Sequence, residues 1–189
     1  MTVPTDLDRR FRDRAAAEDL LDVAYDLVES PLGTLFLATS RRGLCRVAYD
    51  PEPERELERL GRLVGTGVLR VPGRLDRAKQ GLDEYFAGRR RGFELPLDLV
   101  LSTPFSRRVL EELARVPYGE VTTYGALAAR SGKPQAARAV GTIMNRNPIA
   151  IVLPCHRVIG ASGKLVGYGG GLDRKQRLLE LEGGEQRLL

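Results

Sequence analysis

Between residues 23 and 49 the chain runs through three short stretches of alternating apolar and polar residues, 23–29, 34–39 and 44–49, parted by Ser30-Pro31-Leu32-Gly33 and Ser40-Arg41-Arg42-Gly43. Period-two alternation marks strands that bury one face, and tight breaks between them mark hairpins, so an antiparallel meander is expected here. The period then changes. Residues 51–64 carry Leu57, Leu60 and Leu63 at helical spacing, and residues 75–87 carry Leu75, Ala78, Leu82, Tyr85 and Phe86 on one helical face. Residues 96–101 are expected to return as a strand. Ser102-Thr103-Pro104 marks a boundary, with Ser102 or Thr103 placed to cap the next helix. Beyond it, residues 105–116 turn Phe105, Val109, Leu110, Leu113 and Val116 inward, while 124–131 and 134–145 are shorter helices around Gly132-Lys133, a helix-turn-helix candidate. The expected class is α/β (α+β), with an antiparallel N-terminal domain over 1–101 and a helical C-terminal domain over 102–189. Residues 1–20 are an expected extension, with a weakly amphipathic helix over 5–21.

The chemistry-bearing stretch is Pro154-Cys155-His156-Arg157-Val158-Ile159, which sets a cysteine beside the chain's single histidine. Ile149 to Leu153 reads as a short buried strand ended by Pro154, and Gly160-Ala161-Ser162-Gly163 turns the chain, so Cys155 is displayed at the end of an element. A free thiol titrates near ~8.5, and thiolate chemistry at neutral pH therefore needs a base or a positive field nearby. A buried cysteine is ordinarily inert packing, and that is the reading for Cys45, inside the strand-like run 43–49. Cys155 differs because it is displayed beside an imidazole. Neighbours in an extended chain point to opposite faces, so contact between Cys155 and His156 requires a backbone turn or a bridging water.

Charge is divided unequally. From residue 102 onward 10 Arg and 3 Lys face 7 acidic residues, a balance of +6, whereas the first 101 residues carry −1. With a sequence pI near 9.5, a polyanion is expected on the C-terminal half. Two cysteines, no apolar run of membrane-spanning length and a charged stretch from Asp6 to Arg14 lead to a cytoplasmic expectation, without membrane or disulfide framework. Cys45, Cys155 and His156 are too few soft ligands for a structural zinc site, so no metal is expected.

Asn147-Pro148, Pro154 to Gly160 and Gly167-Tyr168-Gly169-Gly170-Gly171 together resemble the O6-alkylguanine-DNA alkyltransferases. Pro117 to Gly125 and Ala136 to Gly141 match that family in the same order, so the resemblance spans about residues 102 to 184; Ser30-Pro31-Leu32-Gly33 and Tyr85-Phe86-Ala87-Gly88 extend it more weakly into the N-terminal half, there of ribonuclease-H-like type. The resemblance implies direct reversal of DNA damage: an alkyl group passes irreversibly from O6-alkylguanine in double-stranded DNA to Cys155. The protein is spent once and needs no cofactor. His156 would draw the thiol proton through water, oriented by Glu182, while Asn147 would be the hinge between recognition helix and reactive segment. Tyr124 would crowd the phosphate of the flipped nucleotide and donate a proton to departing guanine. Ala137, Ala139 and Gly141 would let the recognition helix lie close to the minor groove as Arg138 fills the vacated stack. Met144, Val158, Tyr168 and Gly169 would form the substrate pocket. Glu180 is read as surface charge. Gly169 stands where some members carry serine, and Leu110 where a Trp is common. O4-alkylthymine is a second candidate substrate, and a monomer is expected, with cooperative binding along DNA left open. The competing readings are a lesion-binding helix-turn-helix module without alkyl transfer, opposed by the presence of Cys155, and a Cys-His hydrolase, which would need a second, separately placed histidine.

Overall fold

The computed structural model describes Arg14 and residues 20–183, so the helix expected over 5–21 lies almost wholly outside the described residues. Two compact units emerge, Met1–Gln80 with Leu95–Val100, and Gly81–Glu94 with Leu101–Leu189. A division at 101/102 would instead place residues 81–94 with the first unit.

In the first unit β1 (Val23–Val28), β2 (Leu35–Ser40) and β3 (Gly43–Tyr49) form the expected meander, paired antiparallel in sequence. The unexpected member is β4 (Val68–Arg70), which pairs parallel to β1 and makes the order β3-β2-β1-β4. β2 is the hydrophobic centre, with Leu35, Phe36, Leu37 and Ala38 all removed from solvent. Helix α1 (Pro53–Leu63) opens on Pro53, whose fixed φ suits a first helical turn. It buries Leu60 completely but leaves Leu63 46% exposed, so its apolar stripe is narrower than the leucine spacing suggests.

The strand expected over 96–101 is a single bridge, Leu44 to Leu97. Pro96 has no amide hydrogen to extend a ladder. Asp98 then accepts from the amide of Val100 at 3.1 Å and from Ser40 Oγ at 2.6 Å, a local turn that draws the chain out of register. Gly43 lies where this segment docks. Its φ is +140°, and a Cβ there would sit 2.2 Å from the Pro96 carbonyl oxygen.

Helix α2 (Asp76–Phe86) buries Ala78, Leu82 and Tyr85, as its spacing requires. In the second unit α3 (Pro104–Ala114) starts on Thr103, whose hydroxyl accepts from the Ser106 amide at 3.3 Å, and buries Val109, Leu110 and Leu113. Leu110 is wholly enclosed, so its role is packing. α4 (Tyr124–Arg130) is capped by Thr123 through the Ala126 amide at 3.1 Å. After Gly132, at φ +78°, the chain begins a 3-10 turn at Pro134 and continues as α5 (Ala137–Asn145). Thr122–Thr123 (β5) and Val158–Ile159 (β6) pair in parallel, and α6 (Leu172–Leu181) closes the unit. No helix among the described residues is long and apolar enough to cross a membrane.

Candidate active site and nucleic-acid interface

The apolar run before Cys155 is a turn rather than the expected strand. The Leu153 amide donates back to Ile149 and the Val152 amide to Ala150, while Ile151 takes φ +70°, a left-handed conformation costly for a β-branched residue. Asn147 fixes the turn from inside. Its Oδ1 accepts from the Ile149 amide at 3.1 Å, and its Nδ2 donates to the Leu153 carbonyl at 2.8 Å and to Cys155 Sγ at 3.0 Å. Apolar composition therefore signalled burial, and the buried amide side chain supplied the pairing a neighbouring strand would have given. Cys155 to Arg157 then wind into one 3-10 turn, the backbone turn that adjacent Cys and His require.

Beneath that turn lies Glu182, buried where Gly183, at φ +75°, ends α6. Its carboxylate collects five hydrogen bonds. Oε1 accepts from Tyr85 Oη at 2.6 Å, from Arg157 Nη2 at 2.8 Å and from His156 Nε2 at 2.9 Å; Oε2 accepts from Arg157 Nε at 2.9 Å and from the Gly119 amide at 3.2 Å. Burial alone would raise this carboxyl, but the His156 and Arg157 bonds outweigh it and hold Glu182 ionised, well below the usual carboxylate range. Since Glu182 can only accept, His156 is assigned the Nε2–H tautomer, which leaves Nδ1 a free lone pair. That Nδ1 is buried and makes no hydrogen bond among the described residues. Burial pushes His156 below its ordinary value against the pull of Glu182, so the imidazole is neutral.

Burial likewise pushes the Cys155 thiol up, opposed by the Asn147 bond, by Lys175 and by Tyr168. The resting sulfur is thus protonated, and the residue that follows it carries an unprotonated nitrogen. The loop after β6 forms the outer wall. Tyr124 Oη donates to the Val166 carbonyl at 2.9 Å and to that of Gly167 at 3.3 Å, and Lys175 Nζ reaches Val158 at 2.6 Å and Val166 at 2.9 Å. Met144 and Val158 are buried, Tyr168 is half-buried and Gly169 is exposed. A Cβ at Gly169 would lie 2.6 Å from the Asn145 carbonyl oxygen at the end of α5, so glycine permits this loop's approach to the helix. A separate open cavity of about 440 Å³, lined by Ser162–Leu165, Gln176, Leu179 and Glu180, includes none of the candidate site residues. Glu180 is exposed and accepts from Gln176 at 2.8 Å.

On α5, Val140 and Met144 face inward, whereas Arg138 and Ala139 are exposed and Ala136 and Ala137 half-buried. Gly141 turns toward Tyr124, whose ring would stand 3.9 Å from an added Cβ. The outward face is therefore small residues around one long cation. Cys155, His156, Asn147 and Glu182 are joined to Tyr124 through the pocket loop, while Arg138 stands apart on the exposed helix. Three residues escaped sequence reasoning: Arg157, which doubly engages Glu182; Tyr85, its phenolic partner; and Lys175, wholly buried. A signal for Lys175 existed. Lys175, Leu178, Leu179 and Glu182 follow one helical face, and the two leucines on it are apolar.

Residues 104–184 match the family model for the DNA binding domain of 6-O-methylguanine DNA methyltransferase, and residues 23–99 match that for its ribonuclease-like domain. A methylated-DNA–protein-cysteine methyltransferase of Mycolicibacterium paratuberculosis is 48% identical over 163 residues, covering 85% of this chain and 92% of the relative. One from Mycobacterium leprae is 48% identical over 158 residues, covering 82% and 89%. The crystal structure of Mycobacterium tuberculosis OGT in complex with DNA superposes with a TM-score of 0.74 at 45% identity, covering 84% of this chain and 92% of that one.

Two outcomes follow from the geometry. Gly169→Ser should force the pocket loop off α5, slowing alkylation by free O6-benzylguanine by about tenfold or more while shifting the melting temperature little; an unchanged rate would show that the loop yields. His156 is the only histidine, and its folded value lies below its unfolded one, so its contribution to stability is complete above ~6.5 and is lost as pH falls from there to the lower folded value. Unfolding free energy should therefore drop between pH 7 and 5.5 by at most about 1.4 kcal/mol per unit, and His156→Gln should flatten that dependence in denaturant titrations.

Proposed function

The chain belongs to the 6-O-methylguanine DNA methyltransferase family, and from that membership we propose that Cys155 is the acceptor to which it transfers an alkyl group from O6-alkylguanine in DNA. It is a DNA-repair methyltransferase with DNA as its partner. The single observation that carries the assignment to Cys155 is its buried thiol, held by Asn147 at 3.0 Å and followed directly by a neutral His156 backed by an ionised Glu182. A lesion-binding module without transfer is not favoured, because relatives at 48% identity are named as cysteine methyltransferases and the thiol is present.

In the proposed step His156 Nδ1 takes the Cys155 proton through one water. The sulfur electron pair forms the S–C bond as the C–O6 bond breaks, and the leaving pair stays on guanine. Guanine accepts a proton from Tyr124, which regains one from solvent as the His156 imidazolium gives one up, so the balance is thiol plus alkylguanine to thioether plus guanine. Tyr124 must first release the Val166 and Gly167 carbonyls. Burial and the nearby Cys155 both raise its phenol, keeping the proton available until then. No metal or organic cofactor enters this balance, and the thioether is not readily cleaved, so each molecule acts once.

Arg138 is proposed to occupy the gap left when the lesion turns out of the stack, a displacement costing about a few kcal/mol. A planar guanidinium can stack there and hydrogen-bond the orphaned partner base. Ala137, Ala139 and Gly141 would allow close approach to the minor groove. Met144, Val158, Tyr168 and Gly169 would hold the extruded base. DNA docking and chemistry both reside in residues 102–189 on this reading, one chain suffices, and the working compartment is the cytoplasm. O4-alkylthymine would fit the same displacement.

Intact-protein mass after incubation with an O6-methylguanine duplex should rise by one methyl group, mapped to Cys155, and Cys155→Ala should abolish the gain while retaining DNA binding; transfer by the alanine variant would refute the acceptor. Arg138→Ala should slow single-turnover transfer from duplex far more than from single strand or free base, with Lys rescuing only in part. Equal losses on all three substrates would remove the stacking role.

A further inference from the structure

Lys175 is fully buried on the inward face of α6. No carboxylate among the described residues pairs with it. Its ammonium is solvated instead by three main-chain oxygens: Val158 at 2.6 Å, Val166 at 2.9 Å and Gly167 at 3.5 Å. Carbonyl dipoles stabilise a cation without neutralising it, so burial leaves a net positive charge within the second unit. Those three oxygens are not random surface. Val158 follows the Cys155–Arg157 turn, and Val166 and Gly167 directly precede Tyr168 and Gly169 in the outer wall. Tyr124 bonds the same Val166 and Gly167 carbonyls from the other side.

We propose that Lys175 is a positioning residue for the transfer: its ammonium ties β6 and the 166–167 segment into one frame around Cys155 and supplies the positive charge that the sulfur requires as it becomes a thiolate. This rests on the reading of Cys155 as the alkyl acceptor. The frame matters because the loop carrying Tyr168 and Gly169 follows directly on the Val166 and Gly167 carbonyls that Lys175 holds. The charge matters because the thiol is buried, where an anion without a counter-charge is strongly disfavoured. Lys175 draws the thiol down against its burial, whereas Arg157 is engaged by Glu182 and Val116. The influence is mutual: burial lowers Lys175 to about 8, and Cys155 opposes that fall. The other titrating groups around the pair are His156, which also senses Lys175, Tyr124 and Tyr168, with Glu182 and Arg157 paired behind the imidazole.

The experiment compares wild type, Lys175→Met and Lys175→Arg in three measurements. The first is the pH profile of Cys155 alkylation by iodoacetamide, which needs no pocket. The second is the single-turnover rate with O6-benzylguanine, and the third is affinity for undamaged duplex. Lys175→Met should move the iodoacetamide midpoint upward by ~1 pH unit, equivalent to a tenfold smaller thiolate fraction, and slow O6-benzylguanine by more than that factor, with duplex affinity unchanged. Arg should restore the iodoacetamide profile but recover O6-benzylguanine only in part, since a guanidinium cannot occupy the same three-oxygen nest. Unchanged profile and rate in a folded Met variant would overturn the proposal. Should the Met variant not fold, the lysine Nζ titration followed by NMR in wild type and Cys155→Ser decides: the midpoint should fall when the thiolate is removed, and coincident curves would overturn the coupling. Wild-type protein that accepts no alkyl group from O6-benzylguanine would instead refute the acceptor reading itself, a result separable from any effect of Lys175.

Discussion

One buried carboxylate organises the reactive unit. Glu182 sits at the end of α6, yet its five donors come from α2, from the turn at Gly119 and from the Cys155–Arg157 turn, segments far apart in sequence. Removing a buried anion that satisfies a guanidinium would leave Arg157 uncompensated, at a cost of about 3–5 kcal/mol. Gly119 shows how tight the arrangement is: at φ +74° its amide reaches Oε2, and a Cβ there would approach the Glu182 carbonyl to 2.9 Å. Tyr118 adds a bond from its hydroxyl to Leu181 at 2.9 Å, so the end of α6 is anchored through both backbone and side chain. The imidazole tautomer is a by-product of this anchoring, because an acceptor on Nε2 turns the remaining lone pair of His156 away from Glu182.

The second constraint links the helix that would meet DNA to the sulfur. α5 ends at Asn145, and two residues later Asn147 already holds both the Leu153 carbonyl and Cys155 Sγ. A Cβ at Gly169 would lie 2.6 Å from the carbonyl oxygen of Asn145. A shift of the helix end would therefore reach Cys155 through one side chain and would change the room available to the loop at Gly169. The left-handed Ile151 lies inside that short connection. Strain of roughly 1–3 kcal/mol at such a position persists only because the Asn147 bonds and the surrounding burial fix the turn.

The meander, the Thr103 cap and the inward faces of α2 and α3 were legible because each depends on local periodicity or a capping residue. Residues 149–153 were misread because an apolar run reports burial but not how its peptide groups are satisfied; Asn147 supplies that, and a side chain two residues upstream carries no period. The strand at 96–101 failed for a related reason, since Asp98 outcompetes the ladder for nearby donors. β4 could not be seen because a three-residue parallel edge leaves no pattern. In the candidate site Asn147 bonds Cys155 and His156 bonds Glu182, whereas Arg138 stands apart on α5. Arg157 and Tyr85 were missed because their roles exist only in the tertiary meeting at Glu182. Lys175 was missed although its place between apolar neighbours on α6 could have flagged it.

That helix face also explains how proton and charge can move in one direction. Lys175 and Glu182 are seven residues apart, about 10 Å along the axis, so one face of α6 carries a positive charge on the Val158, Val166 and Gly167 carbonyls and a negative charge behind the imidazole. Before transfer, thiol and imidazole are both neutral, and neither fixed charge is answered by the reacting pair. After the proton moves, thiolate stands near Lys175 and imidazolium against Glu182. On the proposed reading Lys175 favours the thiolate and Glu182 the imidazolium, the pull of Glu182 working against burial and against the Arg157 and Lys175 charges. Glu182 does not need to take the proton itself, because the Arg157 fork holds its carboxylate ionised. With Lys175 removed, the proposed proton transfer would create a buried anion without a counter-charge, while Glu182 would still face the imidazolium.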